Sequence, residues 1–67
     1  MKTLQNWIDE AATFSYEWKQ ATGNAPTEAD VIRECEEIAS GDKELKQTMI
    51  DECGSVENYA KELYSYI

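Results

Sequence analysis

The sequence predicts an all-α fold, a compact bundle of four helices joined by short links. Apolar residues recur at intervals of three and four along most of the chain, which is the period of an amphipathic helix. No segment alternates apolar and polar residues over the length of a strand. Glycines and capping residues interrupt the helical pattern at regular places, and 67 residues leave room for one domain, 1–67.

The first predicted helix spans 4–22, with Thr3 as its N-cap and Gly23 as a left-handed terminator. One stripe of this helix holds both tryptophans and the only phenylalanine: Leu4, Trp7, Ile8, Ala11, Phe14, Ser15 and Trp18. We expect this stripe to lie in the core. The length of the helix predicts that it acts as the spine against which the three shorter helices fold.

The second predicted helix spans 28–40. Pro26 forces the residue before it into an extended conformation, so the helix begins after Thr27. Asp30, at the third helical position, is placed to complete a capping box with Thr27. Gly41 is expected to end the helix. The predicted inner face consists of Val31, Ile32, Cys35, Ile38 and Ala39.

Helices three and four are predicted at 43–53 and 56–66, capped by Asp42 and Ser55, with Gly54 ending the third. Links of one or two residues favour angled corners between these helices over parallel hairpins. The predicted inner positions are Leu45, Met49, Ile50 and Cys53 on helix three, and Val56, Tyr59, Ala60, Leu63, Tyr64 and Ile67 on helix four.

The residue types argue against an enzyme, a metal site or a cofactor. The chain has no His, which removes the usual general base and the commonest metal ligand. Its glycines are isolated, so no phosphate-binding loop is present, and no stretch has the order of an EF-hand loop. Cys35 and Cys53 lack the spacing of a metal or redox motif, which favours reduced core residues over a disulfide and predicts a cytoplasmic protein.

The charge of the chain restricts its partners. The chain contains fourteen Asp and Glu and only six Lys and Arg, so its formal net charge is −8. Such a charge opposes direct binding to nucleic acid or to an anionic membrane. No apolar run is long enough for a membrane span.

Acidic residues on the first two helices are the candidate binding residues. Asp30, Glu34 and Glu37 stand at i, i+4 and i+7, which places three carboxylates in a row, successive members roughly 5 to 6 Å apart along the axis. Like charges at this spacing destabilise a helix slightly. The remaining candidates are Glu36 on the other flank of helix two, and Asp9, Glu10, Glu17 and the exposed Tyr16 on helix one.

The last helix carries a resemblance to a known family. Ser55 to Leu63 reads Ser-Val-Glu-Asn-Tyr-Ala-Lys-Glu-Leu and resembles the Ser-x-Glu-Asp-Phe-Ala pattern in helical parts of antirestriction DNA-mimic proteins from mobile elements. Asn58 and Tyr59 depart from that pattern. The resemblance covers nine of 67 residues and implies an acidic protein that copies the charge of DNA.

Two functions remain open alongside a purely solubilising role for the acidic residues. The first is a non-enzymatic inhibitor whose carboxylates occupy the basic nucleic-acid site of a restriction, CRISPR or repair enzyme. The second is a structural or regulatory helical module that associates through apolar contacts, as a homodimer anchored by Tyr16, Tyr64 and Tyr66.

Overall fold

The computed structural model describes residues 1–67 and contains four α-helices and no strand. The helices are α1 (Leu4–Thr22), α2 (Glu28–Gly41), α3 (Lys43–Cys53) and α4 (Val56–Tyr64). The predicted all-α bundle of four helices is therefore confirmed. The bounds of α1 and α3 agree with the prediction, whereas α2 runs one residue further and α4 ends two residues earlier.

The four predicted N-caps are all present. Thr3, Thr27, Asp42 and Ser55 have extended backbones, and each side chain accepts a hydrogen bond from an amide in the first turn of its helix. The capping box of α2 is complete, because the Asp30 carboxylate accepts a hydrogen bond of 2.9 Å from the Thr27 N–H. Local side-chain chemistry thus sets the start of every helix.

All three glycines lie at helix ends as predicted, but only two of them have the left-handed conformation. Gly23 and Gly54 have φ angles of 80° and 88°, the left-handed conformation of a helix C-terminus. Gly41 is instead the last residue of α2 and has no positive φ. Because Asp42 alone links α2 to α3, its extended backbone makes the corner without a left-handed residue.

The C-terminal turn explains why α4 is shorter than predicted. The N–H groups of Tyr66 and Ile67 donate to the carbonyls of Leu63 and Tyr64, three residues back. These tighter bonds replace the α-helical pattern at the chain end. They place the Tyr66 ring against Trp7, with centroids 6.0 Å apart and an interplanar angle of 17°.

The centre of the bundle is α4, so the prediction that α1 is the spine is wrong. The backbone of α4 lies close to all three other helices, whereas that of α1 lies close to α4 only. The reason is side-chain size. Buried Ala39 and Ala60 let α2 and α4 approach each other, while Trp7 and Phe14 hold the α1 backbone further away.

The core is small and excludes several residues that were predicted to lie in it. Nine apolar residues are buried: Trp7, Ala11, Val31, Cys35, Ala39, Met49, Tyr59, Ala60 and Leu63. The Cα trace measures only 16 Å in its shortest direction, so each helix has a narrow buried stripe. Five predicted inner residues are therefore 39 to 63 % exposed: Leu4, Ile8, Ile38, Leu45 and Ile67.

Both cysteines are free thiols, Cys35 buried and Cys53 half-buried. Burial, together with the nearby negative charges of Glu10, Glu34 and Glu36, raises the pKa of the Cys35 thiol to about 11. The Cys35 thiol is therefore protonated and unreactive at neutral pH.

Candidate partner-binding site

The predicted carboxylate row lies along α2. Asp30, Glu34 and Glu37 fall within about 60° of one another around the helix. Asp30 and Glu34 are half-buried and Glu37 is exposed. Glu34 lies on the side of α2 that faces α1, where it lines a groove together with Ile38.

The groove between these two helices, here called the α1–α2 groove, has an open volume of about 400 Å³. Its apolar lining includes Phe14, Trp18 and Ile38, and its carboxylates are Glu17 from α1 and Glu34 from α2. Phe14 and Trp18 stack with centroids 5.9 Å apart and an interplanar angle of 9°. The groove therefore combines aromatic surface with negative charge from both helices.

A second, shallower depression continues the negative charge along α1. Asp9, Glu10 and Glu17 line it together with Thr13 and Phe14. Because Glu17 lines both depressions, the carboxylates of Asp9, Glu10, Glu17 and Glu34 border one continuous surface, and Asp30 and Glu37 extend it along α2 by their positions in the row. The term acidic surface is used below for the six residues Asp9, Glu10, Glu17, Asp30, Glu34 and Glu37.

Glu10 differs from the other members of the acidic surface because it is held within the protein. Its carboxylate pairs with the Lys2 ammonium and accepts hydrogen bonds of 2.9 Å from the Tyr59 hydroxyl. Burial, reinforced by the hydrogen bond to Glu10, raises the pKa of Tyr59 to about 12. Although burial disfavours its charge, the hydrogen bonds to Glu10 and Tyr59 raise the pKa of Lys2. Glu10 therefore joins the N-terminal segment to α4.

The Asp30 carboxylate already has hydrogen-bond partners within the protein. Its carboxylate accepts hydrogen bonds from the Thr27 backbone and, at 3.0 Å, from the Arg33 guanidinium. The Thr27 N–H is the main cause that holds the pKa of Asp30 below its usual range. Asp30 therefore stays ionised in mildly acidic solution, but its oxygens are less free to bind a partner than those of Glu34 or Glu37.

The carboxylates of the whole chain divide into a paired and an unpaired set. Eight have a hydrogen bond or salt bridge: Asp9, Glu10, Asp30, Asp42, Asp51, Glu52, Glu57 and Glu62. The other six have neither: Glu17, Glu28, Glu34, Glu36, Glu37 and Glu44. Four of these six lie on α2, and Glu17 faces α2 across the groove. Carboxylates that have neither a hydrogen bond nor a salt bridge are thus concentrated on α2 and the adjacent side of α1.

Tyr16 is 66 % exposed and lies outside the acidic surface. It is the last member of an exposed row at four-residue intervals on α1: Leu4, Ile8, Ala12 and Tyr16. This exposed row was not expected, because helix periodicity places Leu4 and Ile8 on the inner face of α1. Tyr64 and Tyr66, expected as further anchors of a dimer contact, are instead half-buried and packed against the core.

Two residues have roles in the structure that the sequence did not predict. Trp18 was expected in the core, and it is a half-buried wall of the groove. Lys2 was given no role, and its ammonium lies 5.0 Å from the centroid of Trp7 and 5.5 Å from that of Tyr59. No local sequence signal could have found either, because the partners come from distant parts of the chain.

No helix is both long and apolar enough to cross a membrane, and no three Cys, Asp or Glu side chains are grouped to hold a metal ion. Comparisons with protein families, with curated proteins and with solved structures find no match to this chain.

Proposed function

We propose that the protein is a non-enzymatic inhibitor that occupies the basic nucleic-acid site of a restriction, CRISPR or repair enzyme. The acidic surface takes the place of the phosphate backbone, as in the DNA-mimic proteins that the last helix resembles. Glu34 and Glu37 make the main contacts with Lys and Arg of the target. Glu17, Asp30, Asp9 and the more distant Glu36 and Glu10 add to the negative field. The protein acts in the cytoplasm.

The observation that carries this proposal is the uneven pairing of the carboxylates. The protein gives most carboxylates of α3, α4 and the first half of α1 a hydrogen bond or salt bridge, yet leaves Glu34 and Glu37 of the acidic surface without one. Like charges one turn apart cost a helix a few tenths of a kcal/mol per pair. A basic partner removes that repulsion and gains charge-assisted hydrogen bonds.

The test compares two double variants of equal net charge. Glu34→Gln/Glu37→Gln removes two carboxylates of the acidic surface, and Glu28→Gln/Glu44→Gln removes two unpaired carboxylates outside it. Each protein is immobilised and used to capture proteins from a bacterial lysate. We expect the wild type and the Glu28/Glu44 variant to retain a nucleic-acid enzyme that added duplex DNA or salt releases, and the Glu34/Glu37 variant to lose it.

Equal loss in both variants would mean that net charge, and not the acidic surface, governs capture. Retention of a nucleic-acid enzyme that duplex DNA does not release would rule out mimicry, because the DNA site of that enzyme would still be open. Inhibition of the captured enzyme on its own DNA substrate completes the test.

A second function, self-association through α1, is favoured by the exposed row Leu4, Ile8, Ala12 and Tyr16. Two copies that bury this row against each other would form a homodimer. Sedimentation velocity over a wide concentration range measures the oligomeric state. Tyr16→Ala should abolish a dimer without unfolding the domain, and a wild type that stays monomeric throughout removes this alternative.

A further inference from the structure

We propose that the α1–α2 groove is a receptor for an arginine side chain of the partner. This inference rests on the proposed function for the kind of partner, a basic protein, and adds which basic residue the groove selects. It comes from a pair that occurs twice on α1, an aromatic residue followed by a glutamate three residues later. One pair binds a cation of the protein itself, and the other pair binds none.

The first copy of the pattern is at the N-terminal half of α1. Trp7 and Glu10, three residues apart, hold the Lys2 ammonium, which lies over the rings of Trp7 and Tyr59 and pairs with the Glu10 carboxylate. Two aromatic rings and a carboxylate therefore make a cation site within this fold.

The second copy lies two helical turns further along. Phe14 and Glu17 repeat the spacing of Trp7 and Glu10, seven residues on. Trp18 supplies the second ring, stacked on Phe14, and Glu34 adds a carboxylate from α2. No Lys or Arg of the protein pairs with Glu17 or Glu34 or lies over either ring.

The shape and chemistry of this second copy favour a guanidinium over an ammonium. The groove is open to solvent and, at about 400 Å³, admits a long side chain presented by another protein. A guanidinium is planar, is weakly hydrated and stacks on aromatic rings, while its fork of N–H groups pairs with carboxylates. A compact, strongly hydrated ammonium gains less from the Phe14 and Trp18 rings.

The experiment titrates the ¹⁵N-labelled protein with two capped peptides of equal length and charge, one with Arg and one with Lys at alternate positions between glycines. The indole N–H signals of the two tryptophans report separately on the groove and on the filled site. We expect the Arg peptide to shift the Trp18 signal, leave the Trp7 signal in place, and bind about three- to fivefold more tightly than the Lys peptide.

Three variants test which side chain causes the preference for arginine. Trp18→Leu keeps an apolar groove wall but removes one of the two rings, so the preference for the Arg peptide should fall to less than about twofold. Glu28→Gln, which removes an unpaired carboxylate outside the groove, should keep the preference for arginine. Circular dichroism checks that Trp18→Leu remains folded, and Trp18→Phe, which keeps an aromatic ring, should retain most of the preference.

Equal affinity for the two peptides, or binding that leaves the Trp18 signal unmoved, overturns the arginine receptor. The proposed function survives that result, because Glu34 and Glu37 are tested separately by capture of a nucleic-acid enzyme. Conversely, arginine selectivity at Trp18 supports the receptor even where no such enzyme is captured, and only the mimicry then fails.

Discussion

The two halves of α1 use similar residues in different ways. Around Trp7, an aromatic ring, a carboxylate and a cation all belong to the protein, and the ring is only 7 % exposed. Around Trp18, the aromatic rings and carboxylates face an open groove and no cation of the protein joins them. The first region holds α1 to α4, while the second leaves its charges available to a partner.

The difference separates residues whose cation lies in the chain from residues that, under our proposal, bind a cation of the partner. Lys2 satisfies Glu10, but the chain offers nothing equivalent to Glu17. The separation also implies that changes near Trp7 should affect stability, and changes near Trp18 should affect binding.

The largest expected effect comes from the two tryptophans. Trp7→Ala removes a buried ring that contacts Tyr59 and Tyr66 and should cost about 3 to 5 kcal/mol, a loss comparable with the whole stability of so short a domain. Trp18→Ala removes a half-buried ring and should cost about 1 to 2 kcal/mol. Urea unfolding followed by circular dichroism measures both, and Trp7→Phe gives a milder variant should Trp7→Ala not fold. Equal costs at the two positions would show that the groove is as much part of the core as Trp7.

The next largest effect is the difference in stability between Glu10→Gln and Glu17→Gln, the same substitution at two positions of α1. Glu10→Gln weakens the interaction with Lys2 and Tyr59 and should cost about 1 to 2 kcal/mol. Glu17→Gln removes no internal partner and should change stability by less than about 0.5 kcal/mol. In a Lys2→Met background the cost of Glu10→Gln should shrink, because the charge pair is already absent. A cost that stays the same in that background would contradict the coupling of Lys2 with Glu10.

Alkaline pH should weaken the fold, in the Trp7 region through Tyr59 and Lys2 and in the core through the Cys35 thiol. The folded pKa of Tyr59 is raised to about 12 and that of Lys2 is also raised, so the folded state binds more protons than the unfolded chain in this range. Their contribution is complete below about pH 10 and is lost as the pH rises through the folded pKa values, about 1 to 2 kcal/mol for Tyr59 after allowance for solvent screening.

Thermal melts at a series of alkaline pH values measure this loss. Tyr59→Phe should make stability fall less steeply with pH, although it also removes the hydrogen bond to Glu10. Tyr16→Phe, which removes the hydroxyl of an exposed tyrosine, is the matched control and should follow the wild type. A Tyr59→Phe profile as steep as that of the wild type would contradict the assignment to Tyr59.

The smallest effect concerns the glycines. Gly41 lies at the end of α2 with a helical backbone and no atom within 4 Å of an added Cβ, so Gly41→Ala should stabilise the domain by about 0.5 kcal/mol. Gly54 has a φ of 88°, and Gly54→Ala should destabilise it by about 1 kcal/mol. Thermal melts measure both effects, as a rise in melting temperature for Gly41→Ala and a fall for Gly54→Ala. Gly41→Ala makes the end of α2 more rigid and should leave partner binding unchanged. Weaker binding would show that the α1–α2 groove must change shape when a partner binds.

Local rules predicted much of this fold but little of the site. The caps at Thr3, Thr27, Asp42 and Ser55 could be identified because each acts within three residues of itself. The row of Asp30, Glu34 and Glu37 followed from helix periodicity alone. Its relation to Glu17 could not be predicted, because no sequence pattern tells how far apart two helices pack or which flanks face each other.

Packing also decided which apolar residues are buried. Periodicity assigned Leu4, Ile8 and Ile38 to inner faces, yet they remain exposed because the bundle is thin and buries only narrow stripes. The position of α4 at the centre depends on small residues such as Ala60, because a small buried side chain lets neighbouring helices approach closely.

The sequence by itself determined the helices, their starts and the excess of negative charge, since these depend on residue type and on neighbours within one or two turns. Only the tertiary structure decided that α4 is central, that Lys2 and Tyr59 bind Glu10, and that Glu17 and Glu34 share a groove. The physical reason is that these contacts join residues far apart in the chain, and their geometry depends on how side chains of different size pack between helices.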